Sequence, residues 1–208
     1  MVRLMVLLLA VTPLLAQAQL VGDPEAGQEK AAVCASCHGM DGNSQVSQWP
    51  KLAQQHARYA ARQSIMIRDK KRNAPQMWPV VQGISDQDLT DIAAYYEQQA
   101  LKPGVADEAL VDQGRTLYQA GNPETGVPAC SACHGPAGAG IKGALYPRVG
   151  GQHADYTAQR LNDYRNGVTN GEDDPYSAIM VGVAENLTDE EIEAVSSYIE
   201  GLHDSRFE

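Results

Sequence analysis

The sequence Cys-x-x-Cys-His occurs twice, as Cys34-Ala-Ser-Cys37-His38 and as Cys130-Ser-Ala-Cys133-His134, and uses every cysteine in the chain. In this spacing two thiols add across the vinyl groups of a porphyrin, and the adjacent histidine lies beneath the ring to bind its iron. Disulfide bonding of an even cysteine set and zinc binding by paired Cys-x-x-Cys are the alternatives. Neither requires histidine in the next position, let alone both times. The motif predicts two covalent haem c groups, held by Cys34, Cys37, Cys130 and Cys133, with His38 and His134 as axial ligands.

The motifs are landmarks of a longer internal repeat. Pro50 and Gln55-His56-x-x-Tyr59 return as Pro147 and Gln152-His153-x-x-Tyr156. Met77 returns as Met180, Gly27 as Gly114, and Leu89, Ile92 and Tyr95 as Ile192, Val195 and Tyr198. Extra residues in the second copy fall around 121–128 and 171–179. The repeat divides the chain into 19–103 and 104–208, joined near Leu101-Lys102-Pro103-Gly104. Residues 1–18 carry a basic start, an apolar run and Ala-Gln-Ala, the marks of a secretory signal peptide. The run is short of the roughly 20 residues that span a bilayer. This leader predicts export to the periplasm.

The periodicity is helical. Asp23-Pro24 reads as an N-cap with proline in the first turn, and Asp107 as the cap of the equivalent helix. Residues 54–72 and 153–166 read as central helices, and Ser85–Asp88 and Thr188–Glu191 as capping boxes that open the last ones. The fold class is all-α: two tandem domains, each enclosing a haem and connected internally by long loops.

The sixth iron ligand separates a carrier from an enzyme, because an open site admits oxygen or peroxide and a methionine closes it. Met180 is the only methionine after Met77. Of the first-half candidates, Met40 is two residues from His38, too short a segment to round a porphyrin edge. Met66 falls within a helix and matches Asp163, as a packing residue would. Met77 matches Met180 and sits between Pro75 and Pro79, in what reads as an extended loop. Met77 and Met180 are the expected ligands, against a role as core methionines. His56 and His153 open polar helices and read as solvent-facing, and His203 as a surface residue. Pro50 and Pro147 offer carbonyls that could orient the iron-binding histidines; loop prolines that merely stiffen a turn fit the spacing equally. Gly27 and Gly114 suit a close crossing of the first and last helices.

Residues 19–104 hold nine basic and nine acidic side chains, and residues 105–208 hold six and seventeen. Such a balance argues against nucleic acid as a partner. The run Arg68-Asp-Lys-Lys-Arg72 reads either as cations gathered at a helix C-terminus or as a patch that steers an anionic partner.

These residues, with Pro-Lys-Leu-Ala-Gln-Gln at 50–55 and Ser-Ser-Tyr-Ile-Glu-Gly-Leu-His at 196–203, resemble the dihaem cytochrome c4 family of class I c-type cytochromes. The resemblance implies two packed haem domains. It also implies a periplasmic electron carrier, with possible peripheral membrane association, working between a quinol-oxidising cytochrome bc complex and a terminal oxidase. The family's ligands carry over to His38, Met77, His134 and Met180. The rival functions are a dihaem peroxidase, which needs one haem that opens to substrate, and a bound subunit of a dehydrogenase or reductase.

Overall fold

The computed structural model describes residues 20–171 and 174–204; the expected leader at 1–18 lies outside the described residues. Among them there are ten α-helices, one 3-10 turn and no ladder of strands. The first repeat contains α1 (Pro24–Lys30), α2 (Ala32–His38), α3 (Ala57–Arg68), α4 (Trp78–Val81) and α5 (Asp86–Glu97). The second contains α6 (Val111–Ala120), α7 (Ser131–His134), α8 (Ala154–Arg165), α9 (Pro175–Ala184) and α10 (Asp189–Gly201).

The helix starts follow from side-chain chemistry. The Asp23 carboxylate accepts from the N–H groups of Glu25 and Ala26, and Pro24 occupies the first turn, where no donor is missed. Ser85 caps α5, and at α10 Thr188 and Glu191 exchange bonds of 3.1 and 3.0 Å in a full capping box. Other boundaries differ from the periodicity. Helix α3 is shorter than 54–72 because Gln54 and Lys70 take left-handed conformations at φ 56° and 58°. Asp107 caps a turn through Ala109 N–H, and α6 begins only at Val111. The stretches around Met77 and Met180 are not extended loops: Met77 is the N-cap of α4, and Met180 lies inside α9.

First and last helices cross at a glycine in each repeat. A Cβ on Gly27 would stand 2.0 Å from Asp91 O, and one on Gly114 2.3 Å from Ala194 O. Beside each crossing lies a buried tyrosine, delivered by opposite helices. In the first repeat Tyr96 of α5 packs on Ala31; in the second, Tyr118 at the equivalent of Ala31 packs beside Ile199, the equivalent of Tyr96. The tyrosine is thus supplied from either helix, and its partner changes from Ala31 to the larger Ile199. Both hydroxyls point to the same place, donating to Gly39 O (3.4 Å) and Gly135 O (2.6 Å), the residues that follow the motif histidines.

The two repeats pack on each other through polar groups. Asn43 holds the linker by bonds to Ala100 O and Lys102 N–H. The buried Lys51 ammonium donates to Lys102 O (2.6 Å) and Gly151 O (3.1 Å). Arg62 reaches Asp174 at 2.7 Å, and Arg72 donates to Tyr156 OH at 3.0 Å.

Candidate haem sites

Each Cys-x-x-Cys-His motif is a helical turn that ends on its histidine. Gly39 and Gly135 terminate the turn at φ 80° and 78°, a left-handed region that favours glycine. Spacing of three places each cysteine pair on one side of the turn. The four thiols are unpaired, so a disulfide framework is absent. Burial pushes Cys34 and Cys130 up to about 11, so both are neutral thiols rather than thiolates at neutral pH. No three His, Cys, Asp or Glu side chains converge as a metal cage among the described residues, which disfavours the zinc reading.

His38 and His134 are buried, at 4% and 9% exposure. The Nδ1 of His38 lies 2.8 Å from Pro50 O, and that of His134 2.9 Å from Pro147 O. A carbonyl only accepts, so Nδ1 carries the proton and Nε2 keeps its lone pair. In His38 that Nε2 is buried and without a partner among the described residues. Burial holds both imidazoles below their usual range, against the opposing pull of the proline carbonyls. A neutral, oriented imidazole with a free Nε2 is the form that binds a metal. Of the two readings of Pro50 and Pro147, the structure selects the orienting carbonyl. These donor sets fit a covalent haem, which supplies an iron that takes up and releases single electrons.

Met77 is half-buried against the cluster of Ile67, Val81 and Leu89, and Met180 is half-buried on α9. Met66 is buried at 6% exposure and Met40 is 60% exposed. The repeated histidines are not solvent-facing. His153 is buried between the repeats, with Nε2 2.9 Å from Ser44 Oγ and Nδ1 3.3 Å from Glu200. His56 is half-buried, its Nδ1 3.8 Å from Glu97. His153 bridges the repeats directly, and His56 lies beside the Ala139 backbone and Arg148 of the second repeat. Their neighbours Gln55 and Gln152 bond across the interface, a role that sequence reading missed although the Gln-His pair stood out as repeated.

Two helical domains that each present half-buried thiols on a motif turn, and a buried histidine fixed on a proline carbonyl, define a dihaem c-type cytochrome. The cytochrome c family model matches the chain twice, over residues 24–99 and 111–203. Cytochrome c4 of Thiocapsa roseopersicina is 50% identical over 90% of this chain and 96% of its own. Cytochrome c4 of Pseudomonas aeruginosa is 46% identical over 97% and 99%. The crystal structure of reduced recombinant cytochrome c4 from Pseudomonas stutzeri superposes with a TM-score of 0.83 at 46% identity, covering 88% of this chain and all of that one. The chain belongs to the cytochrome c family, among its two-domain c4 members. It is an electron-transfer protein with two covalent haem c groups.

Proposed function

We propose that the chain carries single electrons through the periplasm, from a quinol-oxidising cytochrome bc complex to a terminal oxidase. Its haems are held by Cys34, Cys37 and His38 in a domain at 19–103, and by Cys130, Cys133 and His134 in one at 104–208. Met77 and Met180 complete the two iron coordinations. The observation that carries this reading is the pair of buried histidines locked on Pro50 O and Pro147 O with Nε2 left for the iron. Closed coordination on both sides of the iron suits an outer-sphere carrier and leaves a peroxidase no open site. No helix among the described residues is long and apolar enough to cross a membrane.

Three assays test the proposal. A pyridine haemochrome measurement gives two covalent haems per chain, and the oxidised spectrum is low-spin; one haem, or haem extractable with acidified solvent, refutes the attachment. Met77→Ala and Met180→Ala each lower the potential of a single haem. An unchanged potential in Met77→Ala with a shift in Met66→Ala refutes the ligand choice. Partner assignment is tested with the purified complexes: the bc complex must reduce the oxidised protein and the oxidase must oxidise the reduced protein, and failure of either refutes that partner.

A further inference from the structure

The hydrogen bonds that orient the two histidines do not end at the prolines. Pro50 C=O and Lys51 N–H belong to one peptide group, and Lys51 N–H donates to Gln152 Oε1 of the other domain at 2.8 Å. The symmetric chain runs from His134 through Pro147 C=O and Arg148 N–H to Gln55 Oε1, at 3.0 Å. Each glutamine closes the ring by returning its amide N–H to the same residue: Gln152 Nε2 to Lys51 O (3.0 Å), and Gln55 Nε2 to Arg148 O (2.9 Å). Backbone donors from His56 and His153 also meet Oε1, at 3.0 Å each. These partners fix which end of each amide is oxygen. Gln55 is buried at 8% exposure, so at that position no bulk water stands ready to replace the bond.

A peptide group that donates through N–H becomes a better acceptor at its oxygen, by roughly 10–30% per bond. A stronger acceptor behind a ligating histidine makes the imidazole more electron-rich and favours the oxidised metal. We infer that Gln152 lowers the reduction potential of the first-domain haem, and Gln55 that of the second: each domain's glutamine tunes the opposite haem. In each redox event one electron passes between the iron and an outside donor or acceptor. The Nδ1 proton stays on its ring and no other bond changes. The inference rests on His38 and His134 being the axial ligands.

Gln152→Met and Gln55→Met remove the amides at similar length. Each haem's midpoint is followed separately in a spectroelectrochemical titration with NMR assignment of the haem methyl signals. Gln152→Met raises the first haem's potential and leaves the second. Gln55→Met does the reverse. The electron-exchange constant between the haems then changes about threefold, in opposite senses for the two variants, at the low end of what one net hydrogen bond supports. At 59 mV per tenfold change, threefold is about 28 mV. The His38 Nδ1 proton should also exchange faster in Gln152→Met alone. Ser47→Ala, which deletes a different contact across the interface (to Asp155), leaves both potentials in place. Should the methionine variants not yield folded holoprotein, Gln152→Asn and Gln55→Asn withdraw the amide by one methylene and move the potentials in the same crossed pattern. Potentials that move together, that move in the glutamine's own domain, or that do not move overturn the inference. A wild-type spectrum that is not low-spin at both haems overturns the ligand reading instead.

Discussion

Gly114→Ala is the sharpest test of how the domains close around their haems. The added Cβ would sit 2.3 Å from Ala194 O and 2.6 Å from Tyr198 Cβ. Ordinary carbon–oxygen contact needs about 1 Å more, and alanine has no rotamer with which to escape. Helices α6 and α10 must therefore separate by about 1 Å, loosening the buried cluster of Leu117, Tyr118, Ile192 and Val195. Overpacking of this kind costs up to about 3 kcal/mol. Alanine's helix propensity returns about 1 kcal/mol, for a net loss of about 2 kcal/mol. Spread over a domain of about 95 residues, that lowers the melting temperature by about 10 °C. The control is Gly143→Ala, at an exposed position whose Cβ meets nothing within 4 Å; it should gain about 0.4–1 kcal/mol through the unfolded chain. Thermal melts of the holoprotein, read by far-ultraviolet dichroism and by the Soret band, compare the two. A Gly114→Ala protein that melts with wild type would refute the argument from close approach.

Three further outcomes follow from side-chain environments. Burial pushes the Asp91 carboxyl up, but the Asp23 N–H, Lys30 and Gln87 outweigh it and hold the group below the usual range. Its stabilisation is therefore present above about pH 4 and lost as pH falls through the folded value. Asp91→Asn should cost about 1.5–3 kcal/mol at pH 7 and flatten the acid limb of a stability–pH curve; an unaltered limb counts against it. Gln54 holds φ 56° where its repeat partner is Gly151 at φ 79°; Gln54→Gly should stabilise by up to about 1 kcal/mol, since left-handed strain exceeds glycine's entropy loss, and a lower urea midpoint would contradict this. Arg72→Ala severs bonds to Gln63 (2.8 Å) and Tyr156 (3.0 Å) and should lower stability by about 1–3 kcal/mol in urea titration; no change would show the bridge to be slack.

The fold was legible where the sequence carries its own local chemistry. Asp23-Pro24, Ser85 and Thr188–Glu191 cap helices as their residue types require, and Gly27 and Gly114 sit at the crossings that their repetition suggested. The two Cys-x-x-Cys-His turns stand out in sequence because covalent haem attachment requires that spacing. Local pattern failed where tertiary contacts decide. Helix α3 carries a helical pattern beyond its ends, yet Gln54 N–H is drawn to Tyr96 O and the chain turns left-handed there. Helix α4 reads as an extended loop in sequence because Pro75 and Pro79 flank Met77 and the helix is only four residues long. His56 and His153 read as surface residues because nothing local reveals that a second domain covers them. A repeated Gln-His pair outside the haem motif was the available signal, since a pseudo-symmetric interface draws on the same positions of both repeats.

The charge pattern shows the same limit in another form. The basic run at 68–72 is contiguous in sequence but does not act as one patch. Arg68 is engaged by Asp69 and Asp86, Lys70 lies 4.3 Å over the Trp78 ring, and Arg72 is turned inward to Gln63 and Tyr156. Reversing Lys70, Lys71 and Arg72 together would therefore damage the domain interface along with any steering field, and a slowed reaction could not be assigned to charge. Charged side chains gather instead along two grooves. A groove beside α8 and α10 is lined by Asp107, Asp155, Asp189 and Glu193, while a groove beside α3 and α5 is lined by Arg58, Arg62, Lys71 and Lys142. Arg58 and Asp155, at equivalent positions of the two repeats, carry opposite charges, while Lys142 joins the basic groove from the second repeat; Arg62 and Lys142 are partly neutralised by Asp174 and Glu97. With a Debye length of about 8 Å at physiological ionic strength, a partner feels the domain it approaches rather than the net charge of the chain. The acidic excess of the second half should accordingly orient encounter on that side, while the neutral first half depends on contact chemistry at closer range.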